Sequence, residues 1–181
     1  MQVKPCALPE VLVIEPRLSR DERGFFYESF NQAAFARATG ISTRFVQDNH
    51  SYSLKNVLRG LHYQIQRPQG KLIQIVSGEV FDVAVDLRRS SQTFGKWVGY
   101  TLRAEHRHCV WIPAGFAHGF LVVSDGAEVV YKVTDYWAPE YERKIIWNDP
   151  DLNIRWPLQD APMLSAADRS AQRFRDAELF A

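Results

Sequence analysis

The sequence predicts an all-β chain folded as a double-sheet jelly roll or a barrel, with a few short helices at its periphery. Three observations carry this. Short runs rich in β-branched and aromatic residues recur along the chain, separated by Gly, Pro, Asn, Asp or Ser. More than eight such runs fall within about 150 residues, too many for one open sheet, and doubling or closing the sheet is what hides its edges. No repeat, low-complexity tract or linker interrupts them, so one domain over residues 1–181 is expected. Periodicity alone does not choose between jelly roll and barrel.

In chain order the expected strands are Val11–Glu15, Gly24–Ser29, Arg44–Asn49, Val57–Tyr63, Lys71–Ser77, Val80–Asp86, Trp97–Leu102, Cys109–Ile112, His118–Val123, Ala127–Asp135 and Ile145–Trp147. Ser77-Gly78 reads as a tight hairpin, because glycine supplies the positive φ that such a turn needs. One early helix is expected between an Asn31 N-cap and a Gly40 stop, anchored by Phe35. A second, from Ser165 to about Phe180, has a serine cap and mixed charges, and is expected to form a surface tail over about 165–181.

With 46% hydrophobic residues, the 181-residue chain can close one substantial core. Lysine plus arginine number 22 against 21 acidic residues, so no general field attracts nucleic acid or anionic lipid, and neither partner is expected. Any bound anion must be caught locally. Cys6 and Cys109 match no metal spacing and are too few to staple a secreted fold, which points to reduced thiols in the cytoplasm. The first ten residues hold no signal-like apolar stretch, and no run approaches the roughly eighteen apolar residues of a membrane span. A soluble, unprocessed protein is expected.

Strand alternation over Val57–Gln64 sends Arg59, Leu61 and Tyr63 to one face and Leu58, Gly60, His62 and Gln64 to the other. His62 therefore points where Gly60 leaves room. Taken alone, such a histidine reads equally as a satisfied core or rim residue. Its company is Pro113-Ala114-Gly115-Phe116-Ala117-His118-Gly119, the PxGxxH arrangement found in the second half of many cupins. A metal-binding cupin adds a His-x-His pair and a nearby glutamate. Here the pair is His62-x-Gln64, and the next charges are Arg67 and Lys71. Two cations oppose a divalent ion, which needs electron-donating ligands, so no metal is expected. His106-x-His108 lacks a third ligand and has Arg103 and Arg107 around it, which reads as an exposed turn.

The whole set of motifs resembles the dTDP-4-dehydrorhamnose 3,5-epimerase family. The markers are Arg23-Gly24-Phe25-Phe26, Gln47-Asp48-Asn49-His50, Leu58-Arg59-Gly60-Leu61-His62-Tyr63-Gln64, Gln69-Gly70-Lys71, Asp82 to Arg88, Pro113 to Phe120, Tyr131-Lys132, Trp147-Asn148-Asp149-Pro150 and Leu164-Ser165. Singly each is weak; in this order they are specific. The resemblance implies a cupin-like double-stranded β-helix. It also implies a cofactor-free enzyme that inverts C3 and C5 of dTDP-4-dehydro-6-deoxy-D-glucose, giving dTDP-4-dehydro-L-rhamnose for dTDP-L-rhamnose biosynthesis.

Both carbons flank the C4 ketone, so loss of either proton gives an enolate with its charge on one oxygen. Such a reaction needs a base on one face, a cation at that oxygen and an acid on the other face. The resemblance assigns His62 as base, Asp168 as the carboxylate that orients it, Lys71 as the cation and Tyr131 as the acid. Imidazole titrates near neutrality and suits a base, while a phenol with a free pKa of about 10 keeps its proton to give. Read without the family, Asp168 is a helix-surface charge near the Ser165 cap and Tyr131 a core tyrosine.

Arg23 and Arg59 match the family's diphosphate contacts, and Glu28, Gln47, Asn49, His118 and Glu142 its other substrate contacts. Singly, these read as solvated charges or turn amides. Tyr136 and Trp137 could stack on base or sugar, or cover the core. Family members are homodimers with an early strand reaching the partner's sheet, so Arg23 and Glu28 would serve the neighbouring pocket. One departure stands out: the family often has lysine directly before the late aspartate, and this chain has Ala167. Altered affinity is expected there before altered chemistry. Alternatives are a relative that inverts one carbon only, a cupin that binds a sugar nucleotide without catalysis, and a metal-dependent oxygenase or isomerase.

Overall fold

The computed structural model describes residues 1–181. Its strands are β1 (Gln2–Pro5), β2 (Leu12–Glu15), β3 (Ser19–Asp21), β4 (Gly24–Phe26), β5 (Gln47–Leu54), β6 (Leu58–Gln64), β7 (Lys71–Ser77), β8 (Glu79–Asp86), β9 (Trp97–Arg103), β10 (Cys109–Ile112), β11 (Phe116–Val122), β12 (Gly126–Val133) and β13 (Glu142–Lys144). Two helices, α1 (Gln32–Thr39) and α2 (Ala166–Arg169), complete it, with three short 3-10 turns. A six-stranded sheet in the order β1-β2-β10-β7-β12-β5 faces a five-stranded one in the order β13-β6-β11-β8-β9, and β3 and β4 pair alone. This is the double-sheet, cupin-like form of the expected all-β fold.

Alternation decides what each sheet buries. Ile73, Ile75, Val129, Val80, Ala84, Phe120 and Val122 point between the sheets and form the main core. The outer face of the six-stranded sheet, with Leu72, Cys109 and Trp111, is covered by Phe35 of α1 and by Phe30 and Phe45. Helix α1 forms as expected: Asn31 Oδ1 accepts from the Ala34 N–H at 2.9 Å, and Gly40 closes it at φ 73°. The outer face of the five-stranded sheet buries Leu61, Tyr63, Val83 and Val85 against Phe174, Ala177 and Phe180.

That packing corrects the expected C-terminal helix. Helix α2 stops at Arg169, and the chain beyond runs on in bridges, Gln172 with Ile145 and Phe180 with Arg88. The apolar sheet face needs covering, and an extended segment lays its aromatic side chains along it better than one helix stripe. Asp168 is accordingly buried, not a surface charge.

Other boundaries also moved. Ser77-Gly78 is a corner rather than a hairpin, because β7 and β8 belong to different sheets. Gly78 does have the expected positive φ, 79°. Strand pairing near Ile145 begins earlier than expected, at Glu142, and Trp147 lies in a turn. β5 extends to Leu54 through a polar run because it is an edge strand, paired with β12 alone. β1 and β3, both short and exposed, carry no apolar run that could announce them.

Candidate active site

The chemistry-bearing side chains line the space between the sheets. His62 on β6 stands directly opposite His118 on β11, and opposite Lys144 on β13. Across the interior, Lys71 on β7 is opposite Val133 of β12, which makes it the diagonal neighbour of Tyr131. Asn49 on β5 is opposite Tyr131 on the other side. An imidazole wall thus faces a phenol and ammonium wall.

His62 Nε2 lies 2.6 Å from Asp168 Oδ1, with the histidine side chain 30% exposed and the aspartate 4%. Ser165 Oγ donates to the other carboxylate oxygen at 2.9 Å and accepts from the Asp168 N–H at 3.0 Å. Burial pushes this carboxyl up, but the hydrogen bond and charge of His62, the Ser165 hydroxyl and the Lys144 charge together hold it below its ordinary value. Asp168 is therefore ionised at neutral pH. An Nε2–H donating to it leaves the Nδ1 lone pair free for a substrate proton.

A second pair lies deeper: His118 Nε2 is 2.7 Å from Asp82 Oδ2, both buried. Burial pulls His118 below its ordinary value, against the pull of Asp82, so it is neutral at pH 7. The Lys71 ammonium is buried with the His62 carbonyl at 3.4 Å as its protein partner. Burial lowers it to about 8, while Asp82 and Glu142 act to keep it charged. Burial raises the Tyr131 phenol, with Arg59 opposing and Glu142 adding, so the phenol remains a proton donor.

Arg59 shows where simple alternation fails. The β6–β11 register shifts by one residue, with His62 opposite His118 but Arg59 opposite Phe120. This bulge turns Arg59 to the side of His62, the face it was expected to oppose, and its Nε donates to Ser53 Oγ at 2.9 Å. Only glycine fits the crossing: Gly60 has φ 130°, and a Cβ there would lie 2.5 Å from Gly119 Cα.

The rim is pinned by amides. Buried Gln64 accepts from the Ala138 N–H at 2.8 Å and donates to the Arg67 carbonyl at 2.8 Å. Gln47 accepts from the Trp137 N–H at 3.0 Å and donates to Asn49 Oδ1 at 2.9 Å. Tyr136 and Trp137 between them are exposed, so they do not cover the core. Glu142, opposite Gln64, adds a carboxylate at this rim.

His62, Asp168, Lys71, Tyr131, Asn49, Gln47, Arg59, His118 and Glu142 are thus brought together. Arg23 and Glu28 are not: Arg23 is 85% exposed and bonded to Asp21 on the β3–β4 hairpin, and Glu28 bonds Asn31. Asp82, Ser165, Ser53 and Gln64 are site-shaping residues that sequence reasoning missed. Period-2 spacing within Asp82-Val83-Ala84 could have revealed the first, and the serine cap of α2 the second, since Ser165 bonds Asp168 three residues on; Ser53 and Gln64 carry no such local signal. No three His, Cys, Asp or Glu side chains converge as metal ligands would, and no helix is long and apolar enough to cross a membrane.

A model of the dTDP-4-dehydrorhamnose 3,5-epimerase family matches residues 5–176. The dTDP-4-dehydrorhamnose 3,5-epimerase of Pseudomonas aeruginosa is 61% identical over 180 residues, spanning 99% of each chain. A dTDP-6-deoxy-D-glucose-3,5-epimerase from Legionella pneumophila, solved in complex with dTDP-4-keto-L-rhamnose, superposes with a TM-score of 0.94 at 51% identity, over 96% of this chain and 93% of that one. A 3'-monoepimerase from Streptomyces bikiniensis in complex with dTDP-quinovose gives a TM-score of 0.88 at 35% identity, over 97% and 88%. Sequence and fold agree, and the chain belongs to the dTDP-4-dehydrorhamnose 3,5-epimerase family.

Proposed function

We propose that this enzyme inverts C3 and C5 of dTDP-4-dehydro-6-deoxy-D-glucose, yielding dTDP-4-dehydro-L-rhamnose within dTDP-L-rhamnose biosynthesis. The observation that carries the reading is the His62–Asp168 pair on one wall, with Tyr131 and Lys71 on the wall it faces. His62 Nδ1 takes the C3 proton, and the electron pair moves through the C3–C4 bond onto the ketone oxygen. Lys71 then stabilises that oxyanion in a dry site, where a charge acts strongly. Tyr131 returns a proton to C3 from the opposite face, which inverts the carbon.

Each turn leaves an imidazolium and a tyrosinate. Both side chains are partly exposed, so solvent takes the proton from His62 and returns one to Tyr131 before the same cycle acts on C5. His118, neutral and held by Asp82, and Asn49 can receive sugar hydroxyls, while Arg59 offers a fork to the diphosphate. None of these steps asks for a metal or redox cofactor.

Two copies pair, and Arg23 and Glu28 of each serve the other's site. What supports this is the β3–β4 hairpin, where Arg23 is free of its own pocket and Phe25 and Phe26 are 46% and 73% exposed. Each copy folds as one domain, and the free thiols of Cys6 and Cys109 fit a reducing cytoplasm. The test is incubation of the 4-keto sugar nucleotide with enzyme in deuterated water, read by NMR. Deuterium at both C3 and C5 is expected; label at one carbon alone would make this a single-carbon epimerase, and no label would leave only binding.

A further inference from the structure

We infer that Lys144 is a substrate contact that binds hydroxyl oxygens at the hexose end, from a position beside the His62–Asp168 pair. The inference rests on the sugar-nucleotide reading above. Lys144 is directly opposite His62 in the β13–β6 register, so the two side chains share a face with their β-carbons about 5 Å apart. That position is next to the reacting ring and not at the phosphates, where Arg59 lies on the far side of the bulge.

Lys144 is also underused by the protein. Its Nζ is paired with Glu142 alone, at 3.4 Å, and its side chain is 26% exposed. It is close enough for its charge to act on the Asp168 carboxylate, yet it donates no hydrogen bond to that group. An ammonium has three donors, and a loosely held one at the edge of a sugar pocket can turn them to a ligand. Ala167, exposed and directly before Asp168, lines the same shallow depression as Glu142 and Lys144 and brings only a methyl group to it. Positions 144 and 167 therefore share one depression beside the His62–Asp168 pair; its other cation, Arg143, is tied to Glu178, so the cation available to a ligand comes from 144.

The test compares Lys144→Met with the parent enzyme by calorimetric titration of two ligands, dTDP and dTDP-glucose, alongside turnover of the keto sugar. The variant is expected to bind dTDP-glucose about tenfold more weakly and to show a KM raised about tenfold, with kcat within about twofold. Its dTDP affinity stays within about twofold, which also shows that it is folded. Adding Ala167→Lys to Lys144→Met should recover most of the lost affinity. Unchanged dTDP-glucose binding, an equal loss for dTDP, or failure of the second substitution to restore affinity would each overturn the inference. Titration needs no turnover, so failure here is distinct from failure of the proposed reaction, which parent enzyme in deuterated water would reveal.

Discussion

Lys71 concentrates the conflict between folding and function in one side chain. An unfolded lysine keeps its proton to about pH 10.4, whereas buried Lys71 releases it near 8. At pH 7 both states are charged and the burial penalty, up to about 3 kcal/mol, is fully present. Between the two values the unfolded chain binds more protons, so the penalty fades as pH rises. Lys71→Met should therefore raise Tm by a few degrees at pH 7, with the gain shrinking towards pH 10, while turnover falls by about 10³-fold. In the parent enzyme, kcat/KM should decline as pH passes about 8 and the ammonium is lost. Scanning calorimetry and a pH–rate profile check the pair. Asp168→Asn should lower kcat by about 10²- to 10⁴-fold with little change in KM, because the free nitrogen of His62 loses its tautomer control. Most of these residues were legible as types in a motif. Asp168 was not legible as a buried group, because its main partner, His62 on β6, lies 106 residues away in the sequence.

At the scale of elements, β6 holds the most information per residue. Period-2 alternation put His62 on the face opposite Leu61 and Tyr63, and the structure has those two in the outer cluster and His62 beside His118. It misassigned Arg59, since a bulge of one residue reverses every side chain beyond it and leaves no trace in hydrophobic pattern. The crossing at Gly60 is unforgiving. Gly60→Ala combines positive-φ strain at φ 130° with a clash on Gly119, and should cost about 2–4 kcal/mol in chemical denaturation. β5 was half legible: edge strands of polar residues lack the apolar rhythm that marks a strand, yet Gln47 and Asn49 lie on it and need its regularity to face the site. The C-terminal segment misled for the opposite reason, because its local helix signals are weaker than the sheet face that its aromatics cover.

The whole molecule sets His62 and Tyr131 on the two facing sheets of one sandwich and leaves an arginine outside. The proposed pairing of two chains gives that arginine a site to serve. Mixing Arg23→Ala and His62→Ala chains, each nearly inactive alone, and allowing subunits to exchange should restore up to about a quarter of parental activity, because one site of each hybrid then has both residues. An arginine serving its own pocket would restore nothing. The overall architecture was legible from strand number and turn spacing; the assignment of strands to sheets was not, since it depends on corners such as Gly78 whose sequence resembles a hairpin.

The most direct measurement follows deuterium entering the sugar in His62→Ala and Tyr131→Phe enzymes. Loss of all exchange in the first, with exchange but no inverted product in the second, is the result expected of a base and an acid on opposite walls. Solvent exchange persisting without His62, or inverted sugar formed at the parental rate without the Tyr131 hydroxyl, would contradict it.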